Sequence, residues 1–305
     1  MNSDETRRQG TDTETGFSWR RMKNADSLPV KEFLSVNEND YVGACGRFLL
    51  RQSAAGNKSA KDPVWILRRK KDEIKALVMA SGSTVIPVLG TLYDRTADSI
   101  PQMKFLKSFL RLKTLHSLQG LKSEVIVLEE EIGKTGRKTA DIIDYDLMSL
   151  DKPPDEKGFS CGPSGLILRV PAMIDLDAVA PLQTAYEKEE VLPKGSIFSP
   201  AASRINTAQI ITKGKVLAAQ LNGRFVGKIN VSAVSFTRYQ VGGVYVHPHF
   251  RGQGIARRMA TEFISGLIGE GRGVTLFAKK TNAAARSLYT RLGFTVRGDY
   301  RITYY

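Results

Sequence analysis

V-H-P-H-F-R-G-Q-G-I-A, Val246 to Ala256, is the stretch whose reading decides the fold. An apolar run ends at Val246, and Pro248 stops it. The loop R-G-Q-G then enters a segment in which Ile255, Met259, Phe263 and Leu267 recur at helical spacing and form one buried stripe. A helix start leaves backbone N–H groups unpaired and carries the positive end of the macrodipole, so it favours an anion. Gly252 and Gly254 have no side chain to hold a diphosphate away from those N–H groups. Arg251, with Arg258, adds positive charge. A lone G-x-G is also an ordinary strand-to-helix turn. Rival phosphate loops fit worse: no G-x-x-x-x-G-K-[S/T] is present, and a dinucleotide G-x-G-x-x-G would need glycine where Arg257 stands.

Around this loop the second half of the chain alternates strands and helices. Leu166–Val170 predicts a strand and Asp175–Val191 a helix, with Asp175 or Asp177 as its cap. Ser199–Ile211 predicts a second helix, capped by Ser199 with Pro200 in the first turn. Val216–Leu221 and Phe225–Val231 flank Asn222-Gly223, the strongest short hairpin signal. Then come a strand over Gln240–Val246, a helix over Gly254–Leu267, a strand over Gly273–Ala278 and a helix over Asn282–Leu292. The alternating end, Thr295–Tyr305, predicts a hairpin turning at Gly298-Asp299.

The first half shows a similar order. Met1 to about Thr15 reads as a disordered tail. A short strand begins at Phe17, and Val30 to Leu50 carries apolar residues at helical spacing. Val64–Arg68 and Ile74–Ala80 predict a hairpin across K-K-D-E. Gln102–Gln119 predicts an amphipathic helix and Glu124–Glu129 a buried strand. The Pro- and Gly-rich segment Leu150–Gly165 separates the halves, giving domains over 16–155 and 156–305. Both halves read as α+β with mainly antiparallel sheets flanked by helices, and their similar order suggests an internal duplication.

Composition narrows the partners. The 305 residues are 42% apolar and 25% charged, as in an ordinary soluble protein of two domains. No apolar run is long enough to span a bilayer, and the start has no apolar core after its charges, so the expected address is the cytoplasm. Cys45 and Cys161 lack metal-ligand spacing and read as structural; with His116, His247 and His249 scattered, no metal is expected. The net charge is +14, and from Cys161 onward 19 Lys and Arg face 8 Asp and Glu. A basic half suits a polyanion, either nucleic acid or a phosphorylated cofactor. No recognition helix or aromatic ribonucleoprotein motif supports nucleic acid.

R-G-Q-G-I-A resembles the acyl-CoA-binding signature [Q/R]-x-x-G-x-[G/A] of the GCN5-related N-acetyltransferases (GNATs), and N-A-A-A-R-S-L-Y-T-R-L-G-F, Asn282 to Phe294, is similar to a second segment of that family. The two stand in the family's order with a strand between them. The resemblance covers about Gly165 to Tyr305. It implies a twisted sheet with a splayed central strand, and acetyl transfer from acetyl-CoA to a primary amine, by direct attack in a ternary complex. By the same resemblance, Val244, Tyr245 and Val246 would line the pantetheine arm, with the Val244 N–H facing the thioester carbonyl. Arg251, Gly252, Gln253, Gly254, Ile255 and Ala256 would hold the pyrophosphate. Asn282 would cap the last helix and contact coenzyme A. Tyr289 would protonate the leaving thiolate, a task that a phenol of pKa near ~10 can perform for a thiol near ~8.5. The departure is the general base: Tyr239–Val246 contains no carboxylate, Tyr245, His247 and His249 are neighbours without a decisive claim, and no base is assigned.

The first half lacks such a loop. T-L-Y-D-R-T-A-D-S-I-P-Q-M precedes its long helix with no G-x-G. The chain thus resembles bacterial tandem members of the family, with a degenerate first domain that shapes the acceptor cleft or supports a domain or homodimer interface. Its Glu129-Glu130-Glu131 run could attract a cationic amine or be a solvated strand end. A non-catalytic acyl-CoA sensor is the alternative function; Tyr289 distinguishes the two, because a sensor needs no acid at the thiol.

Overall fold

The structure is a computed structural model that describes residues 17–53, 62–69, 73–90, 103–106, 110, 115–154 and 162–305. The N-terminal tail, the segment 91–102 before the first half's long helix, parts of that helix, and Cys161 lie outside the described residues. The chain forms two compact units: Met1–Asp144 with Asp299–Tyr305, and Tyr145–Gly298. The division therefore falls before the Pro- and Gly-rich segment rather than within it. The last seven residues also return to the first unit.

In the first unit, β1 (Phe17–Arg21) leads into α1 (Ser27–Val36) and α2 (Val42–Ser53), followed by β2 (Val64–Arg69), β3 (Glu73–Ser81), β4 (Thr84–Val88) and β5 (Ser117–Leu121). Next come α3 (Lys122–Gly133) and β6 (Asp141–Leu150). β1 to β4 are antiparallel neighbours, whereas β4 and β5 run parallel. In the second unit, β7 (Ile167–Arg169), α4 (Leu176–Tyr186), α5 (Pro200–Lys213), β8 (Val216–Leu221), β9 (Arg224–Val234) and β10 (Arg238–Val246) are followed by α6 (Ile255–Gly269), β11 (Gly273–Lys279), α7 (Ala283–Arg291) and β12 (Thr295–Tyr304). β7 to β10 are antiparallel neighbours and β10 and β11 run parallel. The elements described in the first unit recur in the same order in the second, with the parallel pair at the same place. Both are α+β with largely antiparallel sheets.

The duplication extends to a side-chain device. Arg20 donates two hydrogen bonds to Asp26 at 2.7 and 2.6 Å, and Asp26 accepts from the Lys23 N–H. Arg169 donates two to Asp175 at 2.8 and 2.7 Å, and Asp175 accepts from the Ala172 N–H. Each pair clamps the last residues of a strand to the residue that precedes a helix, through a short 3₁₀ turn. Bidentate Arg–carboxylate pairing fixes direction as well as distance, so it sets the angle at which each helix leaves its strand.

Several elements differ from expectation. The run expected as a strand at Glu124–Glu129 is part of α3, with Val125, Leu128 and Ile132 buried on one face. The expected hairpin at Gly298-Asp299 is absent: β12 runs straight through Gly298, and Tyr300–Tyr304 pair with β5. Strand β6 likewise crosses the division, with Tyr145–Leu150 paired to β11 in the second unit. The expected helix over Gln102–Gln119 also ends early, because Ser117–Leu121 is β5. The Val64–Ala80 and Asn222-Gly223 hairpins form as read, and Ser199 caps α5 by accepting from the Ala202 N–H.

Cys45 is buried, with its thiol against the Leu34 carbonyl, a packing position. Glu124 is buried among residues distant in sequence. Its Oε1 accepts from Tyr41 Oη at 2.5 Å and from the Leu89 and Gly90 N–H groups, while Oε2 has no hydrogen-bond partner. Burial pushes this carboxyl up to about 7, against the opposing hydrogen bonds. A carboxyl that binds its proton more tightly folded than unfolded contributes stability that is full below its unfolded pKa and is lost as pH rises through 7. Glu124→Gln should therefore raise the melting temperature at pH 8 by a few degrees, on the order of 3–5 °C, and change it little at pH 5. Calorimetry at the two pH values checks this; an equal effect at both would remove the buried-charge account.

Candidate active site

The second unit's core lies on both faces of β8 to β11, with Ile255, Met259, Ile264 and Leu267 of α6 on one side. The site arises from a defect in that sheet. β10 pairs with β11 only from Arg238↔Gly273 to Val241↔Leu276. Beyond that point β11 continues along β6, and Gly242–Val246 part from it. At the same level β10 is bulged against β9: Gly242 pairs with Asn230 and Tyr245 with Lys228, so Ile229 opposes both Gly243 and Val244. Such a bulge bends the strand and leaves backbone groups out of the ladder.

Gly243 is essential to this bend. Its φ is +61°, and a Cβ there would collide with Asn230 Oδ1 and Lys228 Nζ. Lys228 is 1% exposed and donates to Asn230 Oδ1 and to the Gly243 carbonyl, both at 2.9 Å, with its ammonium 5.0 Å above the Tyr186 ring.

A cavity of about 390 Å³ occupies the gap. Val244, Tyr245 and Val246 of β10 line it, together with Arg251, Gly252, Gly254, Ile255 and Ala256 from the loop and α6, and Asn282 and Tyr289 from α7 and its cap. The sequence reading's site residues thus converge on one wall, with one exception. Gln253 does not line the cavity; its amide faces the His249 carbonyl at 3.5 Å. His247 and His249 stack edge to face with each other outside the lining.

The loop meets the requirements of a diphosphate cradle. The first intrahelical bond of α6 is Arg258 N–H to the Gly254 carbonyl, and Gly254, Ile255 and Ala256 bring the positive end of the helix dipole to the cavity wall. Gly252 and Gly254 both have φ +79°, a backbone region a side chain disfavours. A Cβ at Gly252 would meet open space, so substitution there would place bulk where a ligand would approach.

Asn282 caps α7 by accepting from the Ala285 N–H at 3.0 Å, and its amide donates to Glu190 at 3.1 Å. Tyr289 is 5% exposed, edge to face with Phe294. Burial, then the fields of Tyr186 and Glu190, push its phenol well above the ordinary value. It therefore stays protonated throughout the neutral range.

Reading the sequence as one long helix from Asp175 to Val191 concealed a further set of residues. After Tyr186 the helix widens into a turn over Glu187–Val191, closed by Leu192 N–H to the Glu187 carbonyl at 2.7 Å. Widened turns of this kind are frequent at functional sites. Glu189 and Glu190 reach the cavity wall, where Glu189 pairs with Arg251 at 2.8 Å and Glu190 with Lys279 at 3.3 Å. Glu187 accepts from Gln183 and Asn206. The run E-K-E-E was the available signal, since three carboxylates at the end of a helix oppose its dipole. Lys228, alone among apolar neighbours in F-V-G-K-I-N-V, was the other. Among the described residues no group of three or more His, Cys, Asp or Glu could hold a metal ion, and no helix is long and apolar enough to cross a membrane.

Comparison with known proteins agrees with this geometry. Residues 183–294 match the model of the acetyltransferase (GNAT) family. A GCN5-related N-acetyltransferase from Sphaerobacter thermophilus superposes with a TM-score of 0.58 at 16% identity, covering 94% of each chain. A Drosophila protein superposes at 0.64 with 14% identity, over 94% of this chain and 98% of its own. A tandem GNAT protein from the clavulanic acid biosynthesis pathway superposes at 0.54 with 13% identity, over 94% and 97%. At these identities the structures establish the fold alone. No curated protein matches the sequence. Residues 183–294 thus carry a GNAT-family domain, and the chain as a whole has the fold of tandem GNAT proteins.

Glu189 places a negative charge beside the arginine that faces the cavity. Glu189→Gln should tighten coenzyme A binding about three- to ten-fold, with the gain shrinking as salt rises. Calorimetric titration at two ionic strengths checks it. Weaker binding would show that Glu189 orients Arg251 rather than competing for it.

Proposed function

We propose that the second unit transfers the acetyl group of acetyl-CoA to a primary amine, by direct attack within a ternary complex. The observation that carries this reading is the convergence of the parted strand β10, the N-terminus of α6 and Tyr289 on one cavity. Bound there, acetyl-CoA would supply a thioester. The backbone of Val244 to Val246, parted from β11, suits a pantetheine arm, itself an extended amide chain that can add to a strand. The Gly252–Ala256 backbone, with the α6 dipole behind it, suits the pyrophosphate.

The residues divide the chemistry. The amine nitrogen forms a bond to the thioester carbon, and the carbonyl oxygen gathers negative charge that the Val244 N–H would receive. The C–S bond then breaks, the thiolate takes a proton from Tyr289, and the nitrogen gives up its own proton to water. The products are an amide and free coenzyme A, and Tyr289 regains its proton from solvent. Glu189 and Glu190 are already paired with Arg251 and Lys279, so neither is assigned as base.

A thiol-release assay with acetyl-CoA against a panel of amines tests the proposal. Turnover on at least one amine is expected, and tight coenzyme A binding with no turnover on any would instead favour a sensor. Tyr289→Phe should lower kcat about 100-fold while leaving acetyl-CoA affinity nearly unchanged. Full turnover in that variant would remove Tyr289 as the acid. Gly254→Ala should weaken coenzyme A binding at least ten-fold, because the added methyl strains a φ of +79° in the cradle itself; unaltered affinity would move the pyrophosphate elsewhere.

A further inference from the structure

Lys228 has no evident part in the chemistry just described, yet it is among the largest fully buried side chains of the protein. An ammonium in that position is costly, and no carboxylate forms an ion pair with it among the described residues. Filling the same space and satisfying one carbonyl would need only a neutral donor. What the charge does touch is specific. Its Nζ lies 2.9 Å from the carbonyl oxygen of Gly243, the residue at the apex of the bulge. That carbonyl belongs to the peptide whose nitrogen is Val244. In a trans peptide the C=O and N–H point in opposite directions, so a carbonyl drawn toward Lys228 turns the Val244 N–H away from it. Val244 lines the cavity. A cation on the carbonyl also draws electron density along the amide and strengthens its N–H as a donor.

We infer that Lys228 is a positioning residue, whose ammonium pins and polarises the Gly243–Val244 peptide so that the Val244 N–H is presented to the thioester carbonyl. The inference rests on the acetyl-transfer reading above. Asn230 Oδ1 holds the ammonium from the same strand, which leaves it aimed at Gly243. The other groups around it are Tyr186 and Glu187 from the end of α4 and its turn, Tyr245 opposite it on β10, and Tyr289 on α7, near Tyr186. Gly243 must be glycine for the same reason, since a Cβ would take the space that Lys228 and Asn230 occupy.

The test needs no acceptor. The carbonyl stretch of acetyl-CoA carrying ¹³C at the acetyl carbonyl is recorded by difference infrared spectroscopy, free and bound to the full-length protein. In the wild type the bound band should lie at lower frequency than the free one. In Lys228→Met at least half of that displacement should be lost, while acetyl-CoA affinity stays within about three-fold. An undiminished displacement in a folded Lys228→Met protein overturns the inference and leaves the acetyl-transfer reading standing. No binding of acetyl-CoA by the wild type overturns both. If Lys228→Met does not fold, the wild type decides by pH. Burial lowers the Lys228 pKa to about 7, so the bound band should move back toward the free frequency between pH 6 and pH 9. A band that stays fixed over that range overturns the inference.

Discussion

Val241 and Leu276 are the last pair that joins β10 to β11, and the site depends on that parting. A sheet strand that leaves its neighbour must find other partners for its backbone or leave polar groups exposed in a groove. Here the Gly243–Val244 bulge turns the strand, Lys228 takes up the Gly243 carbonyl, and the cavity receives what remains. The loop that follows β10 delivers the N-terminus of α6 to one end of the groove, and α7 closes its side with Tyr289. The parted stretch of β10, the start of α6 and Tyr289 therefore line one cavity because a single strand departs from its neighbour.

The first unit repeats the sequence of elements, the parallel pair and the Arg–Asp clamp ahead of its first helix. Arg20–Asp26 and Arg169–Asp175 share spacing, bidentate geometry and the backbone N–H that joins them. Two copies of one arrangement are the economical explanation. The copies have diverged in what they bury: the second unit places Lys228 beside its bulge, whereas the first places Glu124 beside Tyr41.

Much of this was legible from residues with strong local rules. Asn222-Gly223 adopts positive φ at both positions, as a tight hairpin requires, and Ser199 with Pro200 opens a helix. The loop Arg251–Ala256 was readable because glycine, arginine and an apolar stripe each leave a separate trace. Glu124–Glu129 misled because V-I-V-L is rich in β-branched residues, while the face that packs, Val125, Leu128 and Ile132, recurs at helical spacing across a longer stretch. Gly298-Asp299 misled because a turn signal is overridden where both flanks have partners in a ladder. For the widened turn after Tyr186 and for Lys228 the local traces, E-K-E-E and a lone lysine in an apolar strand, mark unusual positions without saying what they contact; those partners lie far apart in sequence.

The central claim is that coenzyme A lies in the gap between β10 and β11. A crystal structure of the protein with coenzyme A tests it most directly. The account predicts the pantetheine arm hydrogen-bonded to the backbone of Val244 and Val246, the pyrophosphate on the N–H groups of Gly252 to Ala256, and the sulfur within reach of Tyr289. Coenzyme A bound elsewhere, with the gap vacant or closed by Val244 rejoining a neighbouring strand, would contradict it.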